Sequence, residues 1–407
     1  EFAAELAALR GRVTVLEARA GELEANQFST TTKLNGEAIF FIGDTFGDRA
    51  QYTVAGGPNV DESDDPTQSI FGYRARLTFD TSFSGEDLLR TRLQALNVSN
   101  FSDQNLTNTV MTGIDPNGGD GDFILDDLYY RFPINNGKGK VYFGAKSLGL
   151  DDILIPLSPF PGTGGGQASF FGSYNPVTFR GPEGTGLGLQ YILNDSITLA
   201  LGYLASDGDA PDASEGRGLF NGSHSAFFQV LYEPTLNFGI GLDYNRRYFR
   251  EDNVFVSGGV VGSFLANRPF GNNATSTDNL GVQTHWRVAR HFEVGGWFGA
   301  TWADEKSSSG DDLDATILNF AVTFAFPDLL KEGDLGGLLF GMQPKVVYHT
   351  IDRLEEDKTG FHIEAFYRFQ FSENISVVPG VFIITDPEHT DENDTIVVTT
   401  LRTTFRF

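Results

Sequence analysis

The chain has 407 residues, enough for two or three ordinary domains or for one large closed one. Its formal charge of -25 argues against nucleic acid as a partner, and the absence of cysteine excludes both a disulfide framework and a thiolate metal site. There is no run of eighteen apolar residues and hence no transmembrane helix.

The first pattern along the chain is helical. Phe2, Leu6, Leu9, Val13, Leu16, Ala20 and Leu23 step by four and three, a heptad seam with a at Leu6, Val13 and Ala20 and d at the other four. Charged residues such as Glu5, Arg10, Glu17 and Arg19 fall off the seam. The pattern predicts a short coiled-coil helix over 1–26, preferred over a helix packed on a domain because the seam is narrow. Three heptads are few, so a larger assembly must help hold it.

From about Thr31 the period becomes two and stays so. In "ILNFAVTFAFP", Leu318, Phe320, Val322, Phe324 and Phe326 share one face and Asn319, Ala321, Thr323 and Ala325 the other. Sixteen such segments are predicted, at about 33–43, 70–83, 87–97, 123–133, 139–147, 184–192, 196–205, 224–233, 236–246, 278–288, 291–302, 314–326, 336–347, 359–370, 374–385 and 395–407. Short connections ("SGED", "LNDS", "EPT", "SEN") alternate with long polar ones. That alternation makes the two ends of every hairpin face different surroundings, as in an outer-membrane barrel with short periplasmic turns and long external loops. The fold class is therefore all-β: a 16-stranded antiparallel transmembrane β-barrel over 27–407, with both termini on the periplasmic side. A β-sandwich or propeller would need a second apolar surface to close against, and its loops would not sort by length. In lipid the backbone must pair internally, which forces closure, and sixteen strands enclose a channel too wide for side chains to fill.

The last apolar-face residue of each descending strand is aromatic: Phe83, Phe132, Tyr191, Tyr232, Trp286, Phe326, Phe369 and Phe407. With 13% aromatic residues overall, eight such positions point to a girdle at one membrane interface. The terminal "TLRTTFRF" fits this reading, with Phe407 in the ring and Arg402 and Arg406 turned into a wet lumen.

At 1–40, "EFAAELAALRGRV", "LEAR" and "ELEANQFSTTTKLNGEA", followed by sixteen strands and a terminal Phe, resemble the cyanobacterial outer-membrane porins of the OprB-type carbohydrate-selective superfamily. The resemblance covers the whole chain. It implies a homotrimer in outer-membrane lipid and passive permeation, with inorganic ions as main traffic. It also implies attachment to the cell wall peptidoglycan through an S-layer-homology domain that precedes the coiled coil and is not among these residues.

The third long connection, about 148–183, is the longest and least polar, and it would expose Ile153, Leu154, Ile155, Leu157, Phe160, Phe170 and Phe171 if it stood in water. It is read as a constriction folded back into the barrel, with packing on a neighbouring subunit as the alternative. Its "GTGGGQ" lacks the Lys-Ser/Thr of a phosphate-binding loop. By parity Arg74, Arg76, Arg90, Arg92, Arg131, Lys140 and Lys146 form a basic wall of the lumen, facing Asp151 and Asp152 at the start of the loop. Acidic runs at 61–65, 120–122, 311–312, 354–357 and 386–395 read as solvated outer loops. "DPNGGDGD" at 115–122 is a single partial calcium-loop unit. No cofactor and no metal is expected: the six histidines lack ligand spacing, and no Ser-His-Asp grouping marks an enzyme.

Three functions compete. The first is a porin for passive diffusion of inorganic ions and small hydrophilic solutes. The second is a carbohydrate-selective channel, with Tyr129, Tyr142, Trp297 and Phe366 as an inward stacking track. The third is a structural tether between outer membrane and wall. An unopposed arginine wall would give the porin a weak anion preference.

Overall fold

The computed structural model describes residues 31–51, 67–114, 121–160, 162, 166–258, 261–306 and 312–407, with Phe2, Glu5, Arg12 and Val13. Those four are helical; the other seam positions, and the "DESDD" run, lie outside the described residues.

Sixteen strands follow: β1 (Thr32–Phe46), β2 (Ile70–Thr81), β3 (Leu88–Leu96), β4 (Ile124–Ile134), β5 (Gly139–Leu148), β6 (Gly184–Asn194), β7 (Ile197–Ser206), β8 (His224–Thr235), β9 (Phe238–Phe249), β10 (Thr275–Ala289), β11 (Phe292–Glu305), β12 (Asp314–Pro327), β13 (Leu335–His349), β14 (His362–Ser372), β15 (Ile375–Ile384) and β16 (Ile396–Arg406). All sixteen agree with the periodicity to within three residues at each end. Each pairs antiparallel with its chain neighbours, and β1 pairs with β16 to close the barrel.

Strand alternation decides which face is which. In β1, Ile39 and Phe41 are 0% and 1% exposed, whereas Phe40 and Ile42 between and beside them are 46% and 45% exposed. The exposed set is the outer, apolar face; the other set looks inward. The turns follow local chemistry. Between β4 and β5, Asn135, Asn136 and Gly137 all take positive φ, a conformation these residue types tolerate best. Between β2 and β3, Asp87 accepts from Ser82 Oγ, Phe83 N, Ser84 N and Tyr130 Oη, which fixes the turn.

The interior differs from an open lumen with one inserted loop. Three long connections fold inward. L2 (97–123) buries Val98, Phe101, Val110 and Ile114 against Ile39, Phe41, Phe382, Ile384 and Val398 of the wall. L3 (149–183) crosses the barrel. L5 (250–274) buries Val254, Val256, Leu265 and Phe270 against Ala303, Ala315, Ile317 and Val346. L2 and L5 were expected to be polar and external. The apolar residues of L2 are scattered, so no run flags it, whereas L5 carries Val254 to Val256 and Phe264 to Ala266 as short apolar runs; each large side chain buried stabilises the inward position by roughly 1.5–3 kcal/mol.

The acidic outer runs are not uniformly solvated either. Glu388 is buried and accepts from Thr107 Oγ1 and Phe264 N, so it clasps L2 and L5 to the 385–395 connection. Burial pushes its carboxyl up to about 8. Burial, reinforced by Glu388 nearby, does the same to Glu356.

Candidate functional site: a charge-lined passage against an inserted loop

The inward faces of β1–β4 carry the predicted wall, and the wall is ion-paired. Arg90 meets Asp80 with two hydrogen bonds, at 2.8 and 2.9 Å. Arg92 donates to Asp126 and, at 2.7 Å, to Asp127. Arg76 lies 3.5 Å from Asp126 and also donates to Gln94. Arg74 donates to Glu37 at 2.9 Å, and Glu37 takes Arg406 at 3.3 Å. Five arginines, Arg406 included, thus meet four carboxylates. A β-bulge explains Asp126. The register of β3 with β4 slips between Arg92 and Leu93, so Asp126 and Asp127 together oppose Arg92 and both reach it. Strict parity would send one of the two outward, but it already turns Glu37, Asp80 and Asp127 inward with the arginines, so only Asp126 depends on the bulge.

A cleft of about 440 Å³ opens beside this network, lined by Glu37, Arg76, Arg92 and Arg406 among others. Arg131 and Lys140 line a second cleft of about 550 Å³ with Glu86 and Asn136, at the short-turn end of the barrel. Two wall members stand apart. Arg74 is 1% exposed and does not face the passage. Lys146 lies at an irregularity of β5, and its Nζ sits 2.9 Å from Asp207, just past the end of β7 at the long-loop end.

L3 faces the wall. A short helix, Leu150–Ile153, presents Asp151 and Asp152. Asp152 caps Gly149 N at 2.9 Å, and Tyr174 Oη donates to Asp151 at 3.2 Å. The surrounding protein and then Asp151 push the Asp152 carboxyl upward, while Arg92 and Arg90 pull against that shift across the passage. Beyond this helix the loop is pinned along the opposite wall. Ile155 N donates to Gln229 Oε1, Leu157 N to Gln283 Oε1, and Ala168 N and Ser169 Oγ to Glu364. Phe160 packs edge-on to Phe366, and Phe171 edge-on to Trp297. L3 therefore packs along the inward faces of strands from β4 to β15, and the open space beside it is the cleft lined by the charged side chains of β1–β3 and β16.

That placement corrects two readings. Tyr129, Tyr142, Trp297 and Phe366 all point inward, but all four are buried, so they anchor L3 and its helix rather than offer rings to a solute. Arg402 is buried too. It donates to the carbonyl oxygens of Gly113 in L2 and Gln167 in L3 instead of facing water.

All eight girdle positions lie at the short-turn end on the outer face. Phe83, Tyr232, Trp286, Phe369 and Phe407 are exposed, and Phe132, Tyr191 and Phe326 half-buried. Ring contacts join Phe83 to Tyr130 and Tyr130 to Phe132. Among the described residues, no group of His, Asp or Glu is arranged to hold a metal ion.

A closed sixteen-strand barrel with an apolar exterior, a charged interior passage and an inserted loop defines an outer-membrane porin. The chain belongs to the carbohydrate-selective porin family, OprB, whose pattern it matches over residues 1–407. It is 35% identical to an uncharacterized protein of Synechocystis sp., covering 100% of this chain and 74% of that one. It is 33% identical to an uncharacterized protein of Nostoc sp., covering 100% and 71%. Its fold resembles Pseudomonas putida OprB (TM-score 0.58, 14% identity, 95% of this chain and 96% of that one). It also resembles an anion-selective porin from Comamonas acidovorans (TM-score 0.57, 11% identity, 93% and 99%). A third likeness is to the trimer form of Vibrio cholerae OmpT (TM-score 0.54, 10% identity, 93% and 99%).

Proposed function

We propose that the protein is a passive channel for small hydrophilic solutes, with neutral polyhydroxylated molecules of carbohydrate type preferred and inorganic ions also admitted. The observation that carries this reading is the paired wall. Guanidinium donors and carboxylate acceptors alternate along β1–β4, so a solute bearing hydroxyls can exchange one hydrogen bond for the next. Because carboxylates oppose most of these arginines, the anion preference expected of a bare basic wall is reduced. Recognition by stacking has no support, since the inward aromatic rings are covered. The matched family's name points the same way.

In the membrane the long loops face outward and both chain ends face the periplasm. The aromatic ring from Phe83 to Phe407 sits at the periplasmic interface, where amphipathic rings concentrate. The chain assembles as a homotrimer, in line with the trimer form of Vibrio cholerae OmpT. Phe2 and Val13 are exposed helical residues of the seam, which supports a coiled coil formed between copies and a tether toward the cell wall. Liposome swelling tests the solute class. Neutral monosaccharides should enter faster than anionic or cationic solutes of the same size; equal exclusion of all sugars would refute the carbohydrate preference.

A further inference from the structure

One transverse row of the barrel holds polar atoms that permeation does not use. Ile39 of β1 is paired with Arg74 of β2 on one side and with Thr404 of β16 on the other. All three look inward beneath L2 and are no more than 1% exposed. Arg74 uses NH2 for Glu37, but its Nε and NH1, like Thr404 Oγ1, have no hydrogen-bond partner. Buried donors left bare in this way are costly, so a native structure that keeps them calls for an acceptor.

The local charge points to the sign of that acceptor. Arg402 lies near enough to repel Arg74, and Arg406 shares Glu37 with it. Arg74 and Arg406 both contact Glu37, and Arg402 feels Glu364 and Glu37 from farther off, so three arginines share two carboxylates. Arg402 itself binds the loop carbonyls of Gly113 and Gln167. Water is a poor occupant. It must donate as well as accept, and of these bare atoms only the Thr404 oxygen can accept. Arg74 and Thr404 stand two strands apart, about 10 Å between backbones, a span a long arginine side chain crosses most of.

We propose that this recess above Ile39 holds one small inorganic anion of halide size, bound by Arg74 Nε–H and NH1–H and by the Thr404 hydroxyl. L2 closes over it through Val98, Val110 and Ile114, which belong to the same apolar cluster as Ile39. The anion offsets the cationic surplus and locks L2 to the wall. It is a resident ion, separate from the solutes passing along Arg76, Arg90 and Arg92.

The test uses the full chain in detergent with chloride replaced by bromide. Diffraction at the bromine edge should show an anomalous peak between Arg74 and Thr404. Thermal unfolding at constant ionic strength should occur several degrees higher in chloride than in gluconate. Thr404→Val, which is isosteric, should shrink that difference and Arg74→Gln abolish it. If the arginine variant fails to fold, the threonine variant carries the comparison. A row without a bromide peak, or wild-type transitions that coincide in the two salts, overturns the proposal.

Discussion

Arg92 holds two carboxylates, so its removal is a sharper probe than its charge alone suggests. Arg92→Gln leaves Asp127 without its ion pair and Asp126 with only the longer contact to Arg76. The reversal potential in a salt gradient should move toward cations, with the cation-to-anion permeability ratio rising severalfold at ~0.1 M salt. Asp152→Asn should move it the other way. Acidification should imitate that variant. The Asp152 carboxyl titrates above the ordinary range, so it loses its charge as pH falls between about 7 and 5. The ion preference should drift toward anions over that window in the wild type and drift less in Asp152→Asn. A drift of equal size in both proteins would place the titrating group elsewhere.

At the scale of elements, period-two alternation located every strand, because a wall with lipid on one side and polar matter on the other imposes that pattern residue by residue. The inward fold of L3 was legible from its apolar side chains, since Ile153, Leu154 and Phe160 could not stand in water. What alternation cannot show is a bulge or a fold-back built from scattered residues. Asp126 turns inward only because β4 carries an extra residue, and L2 enters the barrel through isolated side chains such as Phe101, whereas L5 enters on the short apolar runs around Phe255 and Leu265. Two measurements bear on these elements. Glu364 binds Ala168 N, Ser169 N and Ser169 Oγ, so Glu364→Ala should weaken the L3 anchor by roughly 1–3 kcal/mol. Open-channel current noise should rise, with no loss of the folded barrel. Glu388 holds its proton up to about pH 8 in the folded chain, well above an unfolded glutamate. The clasp is therefore fully favoured only below the unfolded value and weakens as pH rises through the folded one. Hydrogen exchange in L2 and L5 should quicken between pH 6 and pH 9 in the wild type, and much less in Glu388→Gln.

The whole molecule is proposed to associate as three copies, with the space between L3 and the β1–β4 wall governing permeation. Mass measurement in mild detergent should give three chains per particle; a monomer would count against the trimer. Permeation is tested most directly by single-channel current across planar bilayers, for the full chain and for a form lacking residues 158–172. The full chain should give discrete steps with little ion preference. The shortened form should give markedly larger steps, though below those of an empty sixteen-strand barrel, because L2 and L5 still occupy part of the interior. Steps of equal size in the two proteins, or no steps from the full chain, would contradict a passage bounded by L3 and the paired arginines.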